Sequence, residues 1–160
     1  LKNPPKVLTS VSDKLPLIEL NNQIVILSIG MVKPAPLYSS RGFISKEVLN
    51  VYQQVIKQKY KNHLKIAIGH YPVFLPDGIK EGYFHSFTGK RHLKNFLLEN
   101  DFHLYLHGHI HKSWSFRPNA GNKLFSVNSG GACRYCSGEW AGFHQIKIND
   151  QKIDIKRLLV

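Results

Sequence analysis

Hydrophobic and polar positions change period along this chain, and the changes mark its elements. Residues 16–20 and 23–29 are two β-rich runs separated by Asn21-Asn22, a pair suited to a tight turn, and they predict a hairpin. Residues 31–42 carry Pro34, Pro36 and the polar cluster Ser39-Ser40-Arg41-Gly42, and read as loop. The spacing then becomes three and four. Val48, Val51, Tyr52, Val55, Ile56 and Tyr60 recur on one side of a predicted helix, with Lys46, Glu47, Gln53 and Lys57 on the other. Ser45 suits the N-cap of that helix, and Glu47 suits its positive end.

The apolar run 64–68 predicts a strand that closes on Gly69-His70. Residues 71–89, broken by Pro72, Pro76, Gly78, Gly82 and Gly89, form a long loop, a feature more often functional than decorative. Leu93, Phe96 and Leu97 define a second helix over 91–100, and 102–106 is another strand. After that, 113–117, 124–128, 142–148 and 152–158 read as short strands in a meander. Ile146, Ile148, Ile153 and Ile155 alternate with polar neighbours, as in a half-buried antiparallel hairpin. Strand-helix-strand-helix-strand followed by a meander is an α/β layered architecture, within one domain over 1–160.

Composition narrows the partners only a little. Hydrophobic residues make up 42% of the 160, enough for a core, and no apolar run has the length of a membrane span. Lysine and arginine outnumber acids 22 to 10, a net charge of +12. Such a surface favours anionic partners, phosphates included. The basic residues are scattered, so nucleic acid is a possible partner that nothing here compels. No signal-peptide core is present at the start, and the cytoplasm is the default expectation. Cys133 and Cys136 form a lone C-x-x-C among glycines, with no second pair to complete a zinc ribbon. It reads as a loop pair, with a disulfide or a metal site as alternatives.

The chemistry concentrates in histidine. Leu106-His107-Gly108-His109-Ile110-His111 ends one apolar run, and Gly69-His70 ends another. Two imidazoles two positions apart project to one side of extended backbone, or serve adjacent ions if the chain turns. Glycine before each first histidine permits a turn that a side chain obstructs. Two strand ends, each delivering histidine after glycine, place a metal site on the carboxyl edge of a sheet. Most of the nine histidines lie outside this pattern. His63, His92 and His103 read as structural or solvated, and His107 as pointing away from its neighbours. His144 is undecided. Tyr71 and His85, in the long loop, are candidates for substrate contact, and Phe74, Tyr83 and Phe84 share its pocket wall.

Ile68-Gly69-His70-Tyr71-Pro72 together with Leu106-His107-Gly108-His109-Ile110-His111 resembles the C-terminal half of the calcineurin-like metallophosphoesterases. Ser126-Val127-Asn128-Ser129-Gly130 looks like the strand and turn that follow in that family. Arg41-Gly42-Phe43 and the first helix fall where the family has its helix before the Gly-His strand. The resemblance runs from about Gln23 to the end. It implies a layered β-sandwich flanked by helices, incomplete in this chain. It also implies a phosphate-ester substrate and two divalent metal ions (manganese, iron, zinc or similar) in the complete protein. By resemblance His70 and His109 ligate the second ion and His111 the first, and such a centre hydrolyses a phosphomonoester or phosphodiester.

The family's Asp-x-His, Gly-Asp and Gly-Asn-His segments have no counterpart here. Asp13, Asp77, Asp101, Asp150 and Asp154 lack the setting, and Asn62-His63 follows Lys61 at a helix end. Three imidazoles without a bridging carboxylate do not offset the repulsion of two close dications. The reading is therefore the C-terminal portion of a metallophosphoesterase-like domain, inactive alone and at best a weak single-metal binder; the absence of an initiator methionine agrees with it. The alternatives are a binding or scaffold module that keeps the fold without the chemistry, and a basic nucleic-acid-binding protein.

Overall fold

The computed structural model describes residues 6–8, 17–31, 41–82, 86–131, 141–149 and 152–160. Their centre is a mixed seven-stranded sheet in the order β1-β2-β3-β5-β7-β9-β8. Its strands are β1 (Lys6–Leu8), β2 (Leu17–Leu20), β3 (Ile24–Ser28), β5 (Leu64–Ile68), β7 (Leu104–His107), β8 (Ser113–Phe116) and β9 (Phe125–Ser129). Strands β3, β5, β7 and β9 run parallel, while β1, β2 and β8 run antiparallel to their neighbours. Helices α1 (Lys46–Lys59) and α2 (Lys90–Glu99) form the crossovers after β3 and β5.

Strand parity sorts the side chains into two cores. Val25, Leu27, Ala67 and Tyr105 face the helices and pack with Leu49, Tyr52, Ile56, Leu93, Phe96 and Leu97. Ile24, Ile26, Leu64, Ile66, Leu104 and Val127 face the other way. They are covered by the hairpin of β10 (Gly142–Asn149) and β11 (Lys152–Leu159), through Ile146, Ile148, Ile153 and Ile155. Helices, sheet and hairpin make three layers, the α/β layered arrangement that the sequence predicts. Among the described residues no helix is long and apolar enough to cross a membrane.

Several local readings are refined. The Asn21-Asn22 turn exists, with both residues at positive φ (46° and 52°), a conformation asparagine tolerates, and Gln23 N–H donating to Leu20 O at 3.3 Å. In α1 the buried side chains are Leu49, Tyr52 and Ile56, whereas Val48 and Val51 are 40% and 49% exposed. The buried arc is centred on 49, 52 and 56, and Val48 and Val51, at the same three-four spacing, lie on its outer flank. Ser45 caps α1 as expected, its Oγ accepting from Val48 N–H at 3.3 Å.

The loop over 71–89 contains a short strand, β6 (Phe87–Thr88), parallel to β4 (Gly42–Phe43). Two residues each are too short for a periodic signal. The last fifty residues do not form one meander. β9 lies between β7 and β8, parallel to the first and antiparallel to the second, and β10–β11 pair only with each other. The strand β1 carries no marked alternation in sequence and joins the sheet edge beside β2.

Candidate metal-binding edge

The parallel strands end together, and their following residues are laced across the edge. Ile29 N–H donates to Ile68 O at 2.8 Å, Gly69 N–H to Leu106 O at 2.9 Å, and Gly108 N–H to His70 O at 3.1 Å. Ladder hydrogen bonding thus continues one or two residues past β5 and β7, carrying His70 and His109 side by side. His109 Nδ1 lies 3.1 Å from His70 Nε2, with ring centroids 5.0 Å apart. One imidazole can donate its N–H to the other, or both can offer lone pairs to a shared cation. His111, two residues on, is exposed. No group of three or more His, Cys, Asp or Glu side chains that could hold a metal occurs among the described residues.

Glycine acts differently in the two motifs. A Cβ on Gly69 would meet Met31 Cε at 2.5 Å and the Tyr105 hydroxyl at 2.7 Å, so close approach explains that glycine. A Cβ on Gly108 would meet nothing within 4 Å. The unusual backbone belongs to His109 itself, at φ 68°. A non-glycine residue in the left-handed region persists where its surroundings over-determine it. Those surroundings are visible: the Tyr71 ring lies 4.5 Å from the His109 ring, and Asn128 Nδ2 donates to Ile110 O at 2.7 Å.

Tyr71 is buried (6% exposed), stacked on Phe87 with the ring planes 8° apart, and edge-on to His70. It packs against both imidazoles. Its carbonyl accepts the Tyr105 hydroxyl. Burial pushes the Tyr105 phenol up, with Glu81 adding to the effect, so the hydroxyl stays protonated and donates. His107 points into the core as expected. Its Nε2 lies 3.0 Å from Ser126 Oγ, and burial pulls its pKa down to about 3, which keeps the ring neutral.

His103 is half-buried and structural in role, since its Nδ1 accepts the Lys65 N–H at 3.2 Å. His144 Nε2 stands 3.5 Å from Ser113 Oγ. His85, Tyr83, Phe84, Cys133 and Cys136 lie outside the described residues. Two supporting residues escaped the sequence reading, Asn128 and Tyr105. The available signal was polarity on the inward face of otherwise apolar strands, where a buried polar group needs a partner.

The calcineurin-like phosphoesterase family model matches residues 1–113. This chain belongs to the calcineurin-like phosphoesterase family. The match takes in Gly69-His70 and the whole of Gly108-His109-Ile110-His111, and it begins before and stops short of the span the motifs suggested. No curated protein matches the chain. Among solved structures it is similar to GAP50, the anchor in the inner membrane complex of Plasmodium. That likeness has a TM-score of 0.59 at 14% identity, covering 91% of this chain and 49% of the other. The chain therefore spans about half the length of that structure, and the likeness is one of fold.

Proposed function

We propose that the His70–His109 edge is one half of a metal-dependent phosphoesterase site, acting on a phosphomonoester or phosphodiester. The observation that carries this reading is the 3.1 Å approach of the two imidazole nitrogens at the ends of parallel strands. Two nitrogens bound to one ion at about 2.1 Å each, and nearly perpendicular, stand about 3 Å apart. The pair suits one divalent ion. A second ion finds no carboxylate beside the pair among the described residues, and two close dications without one repel. In this reading His111 would help hold the other ion, together with carboxylates from outside the described residues.

A divalent ion held there supplies Lewis acidity toward a phosphoryl oxygen. The chain's own part is positional. Tyr71 fixes the planes of the two rings, Tyr105 fixes Tyr71, and Asn128 holds the carbonyl between His109 and His111.

The test has two stages. Titration of the chain with cobalt(II), followed by visible absorption, is expected to give one bound ion, lost in His109→Ala. With a longer protein that includes upstream sequence, manganese-dependent hydrolysis of bis(p-nitrophenyl) phosphate is expected to fall in the same variant. Retained hydrolysis rejects the ligand assignment. A second reading is favoured because no carboxylate joins the pair among the described residues: a scaffold or anchoring module built on the same fold. Folded protein that binds no cobalt supports that reading over the first.

A further inference from the structure

At the opposite end of β5 and β7 lies a different chemistry. A hollow of about 570 Å³ opens at the amino edge of the parallel strands, lined by Lys61, Lys65, Asp101, His103, Asn122 and Lys123 among others. A second, of about 620 Å³, shares His103 and Lys123 with it and adds Arg117, Lys152 and Asp154. Across the two, five cationic side chains face two carboxylates.

The hydrogen bonding at the rim matters more than the charge count. His103 Nδ1 accepts the Lys65 N–H at 3.2 Å, which leaves the imidazole proton on Nε2 as a donor. Burial, followed by Lys65 and Lys123, lowers the His103 pKa, so this tautomer persists against protonation, with Asp101 opposing. Asn122 Oδ1 accepts the Leu124 N–H at 2.9 Å, which leaves its amide NH2 as donor. The Lys61 carbonyl accepts from Lys65 Nζ at 3.0 Å. Lys65 is 3% exposed, and burial lowers its pKa, Asp101 again opposing. An ammonium has three protons to place, and one acceptor for it is visible among the described residues. Three rim acceptors, His103 Nδ1, Asn122 Oδ1 and the Lys61 carbonyl, are thus engaged internally, and the donors beside them face the two carboxylates and the hollow.

The C-terminal ends of α1 and α2 lie close by, and helix C-termini attract cations in their own right. That accounts for Lys57 and Lys59 in the last turn of α1. It does not account for Lys123, Arg117 and Lys152, which come from the segments around β8, β9 and β11.

We infer that this hollow is a second binding site, remote from the histidine pair, for a compact, multiply charged phosphate anion. Isothermal titration of the 160-residue chain with inorganic pyrophosphate, in EDTA so that no cation bridges the anion to His70 and His109, tests it. The double variant Lys61→Gln/Lys123→Gln removes two exposed rim charges and is expected to weaken binding by about tenfold or more, with an unchanged thermal midpoint. His70→Ala is expected to bind pyrophosphate like the parent. Unchanged affinity in the double variant, or loss in His70→Ala, overturns the site. A thymidine decanucleotide is the third arm. If it binds through the same lysines while pyrophosphate does not, an extended nucleic-acid backbone is the occupant and the compact-anion assignment is wrong.

Discussion

The two ends of β5 and β7 each bring a histidine of the β7 segment against the β5 segment, with opposite results. At the carboxyl end His109 meets another imidazole, and the two facing nitrogens either share a proton or offer both lone pairs to a cation. At the amino end His103 meets a backbone N–H, which occupies its acceptor nitrogen and leaves a donor. The same parallel pairing thus sets imidazole against imidazole at one edge and imidazole against a backbone N–H at the other. What decides is the partner each imidazole finds, more than the imidazole itself.

The largest effect is expected where both ends depend on one element. Leu97 is fully buried between α2 and the sheet, and Leu97→Ala is expected to cost about 2–5 kcal/mol in urea unfolding. Cobalt and pyrophosphate binding should then fail together as the fold is lost on warming. Next, Tyr105→Phe removes the donor to the Tyr71 carbonyl, at a cost of about 1–3 kcal/mol. Cobalt binding is expected to weaken while pyrophosphate binding stays as in the parent; equal losses at both ends would show that the two edges are not independent.

A smaller, directional effect concerns pH. His103 titrates below its ordinary value of 6.5 in the fold. The unfolded chain takes up its proton near that ordinary value, so stability from this residue is full above it and declines as pH falls below it. His103→Asn keeps an acceptor for Lys65 N–H but cannot titrate. Urea midpoints of this variant should fall less than the parent's on going from about pH 7.5 to about pH 5. Parallel curves would show that His103 is not the group responsible. Smallest of all, Val51→Lys on the outer side of α1 should shift stability by no more than about 0.5 kcal/mol, which checks the helix face assigned by the structure.

The sequence made legible whatever rests on period and punctuation. The two helices follow from three-four spacing, the strands that end at Gly69-His70 and Gly108-His109 from apolar runs closed by glycine, and the isoleucine hairpin from alternation. The order β7-β9-β8 was not legible, because a short strand carries no mark of which neighbour it will choose. The pairs β4 and β6 are too brief for any periodicity. At the site, glycine correctly pointed to a constrained backbone, but at the second motif the left-handed residue is His109, and Gly108 is sterically free. Asn128 and Tyr105 reach their acceptors across the fold, at |i−j| of 18 and 34, separations that local pattern does not encode.

The hairpin of β10 and β11 has a kinetic consequence. It exchanges no ladder with the seven-stranded sheet, and among the described residues its backbone tether is Gly142 N–H to Gly131 O at 3.1 Å. Its far end, at Ile148 and Ile153, rests on side chains alone. Amide hydrogens there should exchange with solvent deuterium sooner than those of β5 or β7, by a peeling that starts at the far end of the hairpin. Since Lys152 and Asp154 lie at that end, each such opening also unroofs one wall of the lysine-lined hollow.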